Sequence, residues 1–106
     1  MSKAVRGSST GVPIMALFDL LGRKWNMRIM WELRNQALSF RAIQEQCDGM
    51  SPSVLNTRIK QLSEAKLLNT TESGYQLTSL GHSLMNTLDP LRTWAKNWEQ
   101  SVDKTE

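Results

Sequence analysis

The sequence predicts a mainly α-helical domain carrying one small β-hairpin. Three observations support this. Apolar residues recur at helical spacing through most of the chain, the period changes to alternation only between residues 67 and 78, and Gly, Pro and Ser punctuate the boundaries. At 106 residues, with 40% hydrophobic content and 22% charge, the chain can build one globular domain with a modest core.

Residues 1–11, MSKAVRGSSTG, are small and polar and lack periodicity, so a flexible arm is expected there, followed by the domain over 12–101 and a short tail over 102–106. Ile14, Leu17, Phe18 and Leu21 follow the i, i+3, i+4, i+7 pattern of a first helix, with Pro13 at its start and Gly22 at its end. In KWNMRIMWELRNQ, Trp25, Ile29 and Leu33 form one stripe with Met30 beside it, which predicts a second, largely buried helix. Trp31 lies off that stripe and either packs on another helix or meets a partner chain. Ser39 can cap a short third helix, in which Phe40, Ile43 and Cys47 turn toward the core.

The stretch SPSVLNTRIKQL, residues 51–62, follows Gly49, which can take the left-handed conformation that ends the third helix. Ser51 then serves as N-cap, Pro52 fills the first helical position, and Met50 with Leu55 has the spacing of a hydrophobic staple. Leu55, Ile59 and Leu62 form the buried stripe, leaving Ser53, Asn56, Thr57 and Lys60 on or beside the opposite face. Two helices joined by a tight Gly-containing turn make a helix-turn-helix. Next, LLNTT and YQLT alternate around the turn ESG and predict a hairpin. A final helix runs from about Ser79 to Ser101, with Leu84, Leu88, Leu91, Ala95 and Trp98 at heptad-like spacing; Pro90 either kinks or restarts it, with Asp89 as cap. The element order is that of a winged helix-turn-helix extended at both ends.

Charge is uneven. Residues 1–66 carry 10 Lys and Arg against 5 Asp and Glu, whereas residues 67–106 carry 3 against 5, so a basic segment of +5 joins an acidic one of −2. This distribution points to an anionic partner on one side, most commonly nucleic acid. Ser and Thr hydroxyls and the Asn56 amide can bond base edges or phosphates, and the Asn donor and acceptor match adenine. The expected DNA-contacting set is Ser51, Ser53, Asn56, Thr57, Arg58 and Lys60, with Arg41, Lys24 and Arg28 supplying phosphate charge alongside Arg23. The competing class is a winged-helix module that docks on protein through this face or Trp31 and leaves DNA alone.

Cys47 and His82 are the only Cys and His, so neither a zinc cluster nor a Cys/His dyad can be built, and no Gly-rich phosphate loop occurs. No enzymatic activity and no cofactor are expected. With no apolar run of membrane-spanning length, no N-terminal leader pattern and a single cysteine, a cytoplasmic protein is expected. Trp25, Trp31, Trp94 and Trp98 either line an effector pocket of unknown ligand or pack the core and a dimer contact, Trp25 suiting the core and the last two an interface.

Within this framework LLGRKWNMRIMWEL, SFRAIQEQCDGMSPSVLNTRIKQLSEAKLL and YQLTSLGHSLMNTLDPL, closed by Trp94, resemble the HxlR-type branch of the MarR-like transcriptional regulators. The most specific parts are Gly-x-Lys-Trp at 22–25, Met-Ser-Pro-x-Val-Leu at 50–55 and Tyr-x-Leu-Thr-x-x-Gly at 75–81. The resemblance implies a homodimeric regulator of double-stranded DNA: the fourth helix in the major groove of a pseudo-palindromic operator, the hairpin as wing, and first and last helices as dimer contact. On this chain that contact would use Ile14, Leu17, Leu84, Leu88, Leu91, Trp94 and Trp98. Two departures are visible. Val12-Pro13 stands where such proteins usually carry a Cys-Pro pair, and the short hairpin tip offers Glu72, Ser73 and Gly74 without a cation.

Overall fold

The computed structural model describes residues 12–103, so the arm expected over residues 1–11 and the end of the tail lie outside the described residues. The chain runs α1 (Pro13–Leu21), α2 (Asn26–Glu32), α3 (Phe40–Gln46), α4 (Pro52–Glu64), β1 (Leu68–Thr71), β2 (Gly74–Leu77), α5 (Ser79–Leu88) and α6 (Leu91–Asp103). This is a mainly α fold with one antiparallel hairpin, paired in the register Leu68 to Leu77 and Thr71 to Gly74.

The core is assembled from one stripe of each central element. Ile29 and Met30 of α2, Ile43 of α3 with Cys47 just beyond it, and Leu55 and Leu62 of α4 are all fully buried, with Leu68 and Leu77 of the hairpin closing one side. Full burial of a Leu or Ile is worth about 1.5–3 kcal/mol, so this cluster is what holds α3 and α4 at a fixed angle.

Three local details differ from the sequence expectation. The second helix is shorter at both ends, because Trp25 sits in the left-handed region at φ 81° and acts as its N-cap instead of joining the helix. Trp25 is half-buried against the core. Beneath it Asn26 is completely buried, its Nδ2 donating to the Leu20 carbonyl at 2.8 Å and its backbone N–H to Arg23 at 3.1 Å, which ties the end of α1 to the start of α2. At the end of α3 Gly49 is left-handed as expected, at φ 73°, but Asp48 before it is left-handed too, at φ 59°; the Gly49 N–H donates to the Gln44 carbonyl at 2.7 Å, a 6→1 closure.

Of the two outcomes expected at Pro90, a kink or a restart, the structure has the restart, and the final segment is two helices. Pro90 has no N–H to continue the ladder, and α5 ends at Leu88 before α6 begins at Leu91. The heptad seam is divided accordingly. Leu84 and Leu88 are half-buried against the chain's own core, while Leu91, Trp94 and Trp98 are 52%, 60% and 57% exposed. Every residue of α6 is exposed, and the Trp94 and Trp98 rings stack on one another with centroids 6.1 Å apart.

The third difference is an extra bridge. Leu38 pairs with Tyr75 through two backbone hydrogen bonds of 3.0 and 2.8 Å, lashing the hairpin to the entry of α3. The backbone passes so close that a Cβ on Gly74 would stand 2.4 Å from the Leu38 carbonyl oxygen, and Gly74 also has φ 120°. The segment from Tyr75 to Gly81 is thus one fitting: Tyr75 bridges to Leu38, Leu77 is buried, and Thr78 Oγ1 donates to Lys66 at 2.7 Å while accepting the Gly81 N–H. Gly81 leaves room for the Leu67 carbonyl, which a Cβ there would meet at 2.2 Å.

Candidate nucleic-acid interface

The presentation of α4 is set by its first turn. Ser51 Oγ accepts the Val54 N–H at 3.2 Å, Pro52 needs no partner at the first helical position, and the staple pair Met50 and Leu55 is buried. Gln44 of α3 donates from Nε2 to the Met50 carbonyl at 3.0 Å, fixing the turn between the two helices. Leu55, Ile59 and Leu62 face inward, so spacing alone sends Ser53, Asn56, Thr57 and Lys60 outward, and all four are exposed.

These side chains differ in how far they are committed. Asn56 and Lys60 make no hydrogen bond or ion pair among the described residues. Thr57 Oγ1 donates to the Ser53 carbonyl at 3.1 Å, and the Ser51 and Ser53 hydroxyls lie 3.5 Å apart. Arg58 is half-buried at the flank, where its Nη1 donates to Gln61 Oε1 at 3.2 Å and its buried Nε has no partner.

The cations expected around α4 also divide. Arg41, in the first turn of α3, is exposed and forms no ion pair among the described residues. Lys24 is exposed with its ammonium 5.5 Å from the Trp25 ring. Arg28 is engaged inside the protein: its Nε donates to Glu32 at 2.8 Å, its Nη1 lies 3.7 Å from Asp48, and its Nη2 donates to the Gln46 carbonyl. The geometry makes it a buckle between α2 and the end of α3, with two carboxylates offsetting its charge. Arg23 is exposed and lines a groove on another side of the domain.

The hairpin ends in the two-residue turn Glu72-Ser73, in which Thr71 Oγ1 donates to the Gly74 carbonyl and accepts the Ser73 N–H, both at 3.1 Å. Its tip exposes Glu72 and no cation.

The remaining candidates sit elsewhere. Cys47 is fully buried, and burial pushes its thiol pKa above the ordinary value while Arg28 pulls the other way, so the thiol form prevails at neutral pH. Among the described residues no group of three or more His, Cys, Asp and Glu could hold a metal ion, and no helix is long and apolar enough to cross a membrane. An apolar groove of about 610 Å³ opens between α1, the end of α4 and α5, lined by Ala16, Leu17, Leu20, Leu80 and Leu84, and none of the four tryptophans contributes to it. Trp31 is half-buried beneath two cations, with Arg34 3.6 Å and Arg92 5.7 Å from its ring centroid. Sequence reasoning missed this cluster, as it missed Asn26. Arg34 at i+3 was the available signal for one half of it, whereas Arg92 arrives from α6 and leaves no local trace.

Comparison with known proteins places this geometry in context. Residues 20–103 match the family model described as HxlR-like helix-turn-helix. An HTH-type transcriptional regulator from Methanocaldococcus jannaschii is 25% identical over 91 residues, covering 82% of this chain and 86% of its own length. Among solved structures, quinone-bound YodB from B. subtilis superposes with a TM-score of 0.73 at 27% identity, over 79% of this chain and 96% of that one. An HxlR family transcriptional factor from Thermoplasma volcanium gives 0.72 at 29% identity, over 84% and 86%. A MarR family regulator from Enterococcus faecalis, at 21% identity, shares the fold with a TM-score of 0.74 over 97% and 99%.

Proposed function

This chain belongs to the HxlR-like helix-turn-helix family, and we propose that it is a transcriptional regulator that binds a pseudo-palindromic operator as a homodimer, reading bases with α4. The observation that carries this reading is the outward face of α4. A capped, stapled helix holds Ser53, Asn56, Thr57 and Lys60 at fixed positions, and the Asn56 amide and Lys60 ammonium have no competing partner among the described residues. Asn56 offers the paired donor and acceptor that match adenine in the major groove, and Lys60, Arg41 and Lys24 supply charge for flanking phosphates. Arg28 and Arg58 contribute less, because their guanidinium groups already serve contacts within the domain.

Assembly is supported by α6. A helix of 13 residues exposed along its whole length is marginal on its own in water, and its Leu91, Trp94 and Trp98 add a large apolar surface. Ile14 and Phe18 of α1 are exposed in the same way. A second copy of the chain would cover both through a two-fold axis, which sets two α4 helices against two half-sites about 34–36 Å apart.

Fluorescence anisotropy with labelled genomic fragments over a salt series tests this reading, alongside sedimentation at micromolar concentration. Sequence-selective binding that weakens steeply with salt, by a dimer, is expected. Absence of binding to any fragment would leave α4 as a surface for a protein partner, the competing reading.

A further inference from the structure

Thr57 occupies the middle of the outward face of α4, exposed, one turn after Ser53 and next to Asn56. Its hydroxyl proton is already spent. Oγ1 donates to the Ser53 carbonyl at 3.1 Å, the i to i−4 bond by which a helix absorbs a threonine proton. Threonine has only one hydroxyl proton, so in this state Thr57 has nothing to donate to guanine N7 or O6. With Oγ1 drawn back onto the preceding turn, the γ-methyl is the one heavy-atom branch of this exposed side chain with no bonded role in the helix. In the major groove an apolar methyl has one complementary feature, the C5-methyl of thymine.

From this geometry we infer that Thr57 is a specificity determinant that selects thymine through its methyl group and not through its hydroxyl. The inference rests on the reading of α4 as the base-contacting helix and adds to it the identity of one base. Asn56 and Thr57, about 100° apart around the helix, then present an amide matched to adenine and a methyl matched to thymine, and each operator half-site carries an A·T pair where Thr57 meets it. Ser53, which has a hydroxyl and no methyl, lacks this preference.

The test uses the full-length chain and duplexes that it enriches from a random-sequence pool. Each thymine of a half-site is replaced in turn by deoxyuridine, which pairs identically and lacks only the 5-methyl group. One position per half-site should then lose about fourfold in affinity, the worth of one buried methyl-sized group. Thr57→Val keeps a methyl without the hydroxyl and should preserve that loss, whereas Thr57→Ser keeps the hydroxyl without the methyl and should bind thymine and deoxyuridine duplexes equally. Discrimination that survives in Thr57→Ser, or disappears in Thr57→Val, overturns the inference while leaving α4 as the reading helix. If no sequence is enriched from the pool, the DNA-reading function fails and the inference falls with it.

Discussion

Helices α4 and α6 are the same length, 13 residues each, yet they are finished in opposite ways. In α4 the apolar stripe Leu55, Ile59 and Leu62 is buried within the chain, and what remains outside is short, polar and basic. In α6 nothing is buried, and Leu91, Trp94 and Trp98 stand in the open. The pair teaches that exposure alone does not identify a partner; the chemistry of the exposed face does. A polar face with unspent amide and ammonium groups suits a hydrated, anionic groove, whereas an apolar face with stacked indoles suits another protein surface.

The largest expected effect breaks the apolar half of the comparison. Leu91→Asp removes one buried Leu from each protomer across the proposed two-fold, about 3–6 kcal/mol of dimer stability. Sedimentation at micromolar concentration should show a monomer, and operator affinity should fall with it; an intact dimer would place the contact elsewhere. Next comes the polar half. Asn56→Ala should cost about 1–3 kcal/mol on the operator and little on random DNA, whereas Arg41→Ala should weaken both alike and reduce the salt slope by about 0.9. Equal losses on every duplex would remove Asn56 from base reading.

A third substitution sharpens the contrast, because α4 is stabilised within its own domain. Ser51→Ala removes the cap on Val54 N–H and should lower unfolding stability by about 1 kcal/mol, independently of protein concentration. The effect of Leu91→Asp, by comparison, should depend on concentration, and denaturation at two concentrations separates the two. The smallest effect concerns the wing. Glu72→Lys should tighten non-specific binding at low salt and steepen its salt slope by about 0.9 if the tip reaches a phosphate. Weaker operator binding instead would mean that Glu72 itself makes a favourable contact.

Residues that act through local rules were legible in the sequence. Ser51, Pro52 and the Met50 and Leu55 staple define the start of α4 within six residues, and alternation around Glu72 and Ser73 locates the hairpin, because capping and strand periodicity are short-range effects. What escaped is long-range or conformational. Arg28 has the spacing of a free basic residue until Gln46 and Asp48, far along the chain, fold back onto it. Leu38 gives no sign that it will pair with Tyr75. Trp25 has apolar helical spacing, but its left-handed φ excludes it from α2, a backbone choice that no hydrophobic pattern encodes. Leu84 and Leu88 share a heptad with Leu91 and Trp98 on paper; the break at Asp89 and Pro90 sends the first pair inward and the second pair outward.

The ring of Trp31, lying between Arg34 of its own helix region and Arg92 at the root of α6, has a mechanical consequence. Helix α6 extends about 20 Å from the break at Asp89 and Pro90, and the Arg92 to Trp31 contact lies at its root. A tilt of only about 10° there carries the far end of the helix about 3.4 Å, the rise of one base pair along a DNA strand. In the homodimer proposed above, where a second protomer packs on α6, any tilt at this contact turns one α4 relative to the other, so the cation and ring stand where the spacing of the two helices would be adjusted.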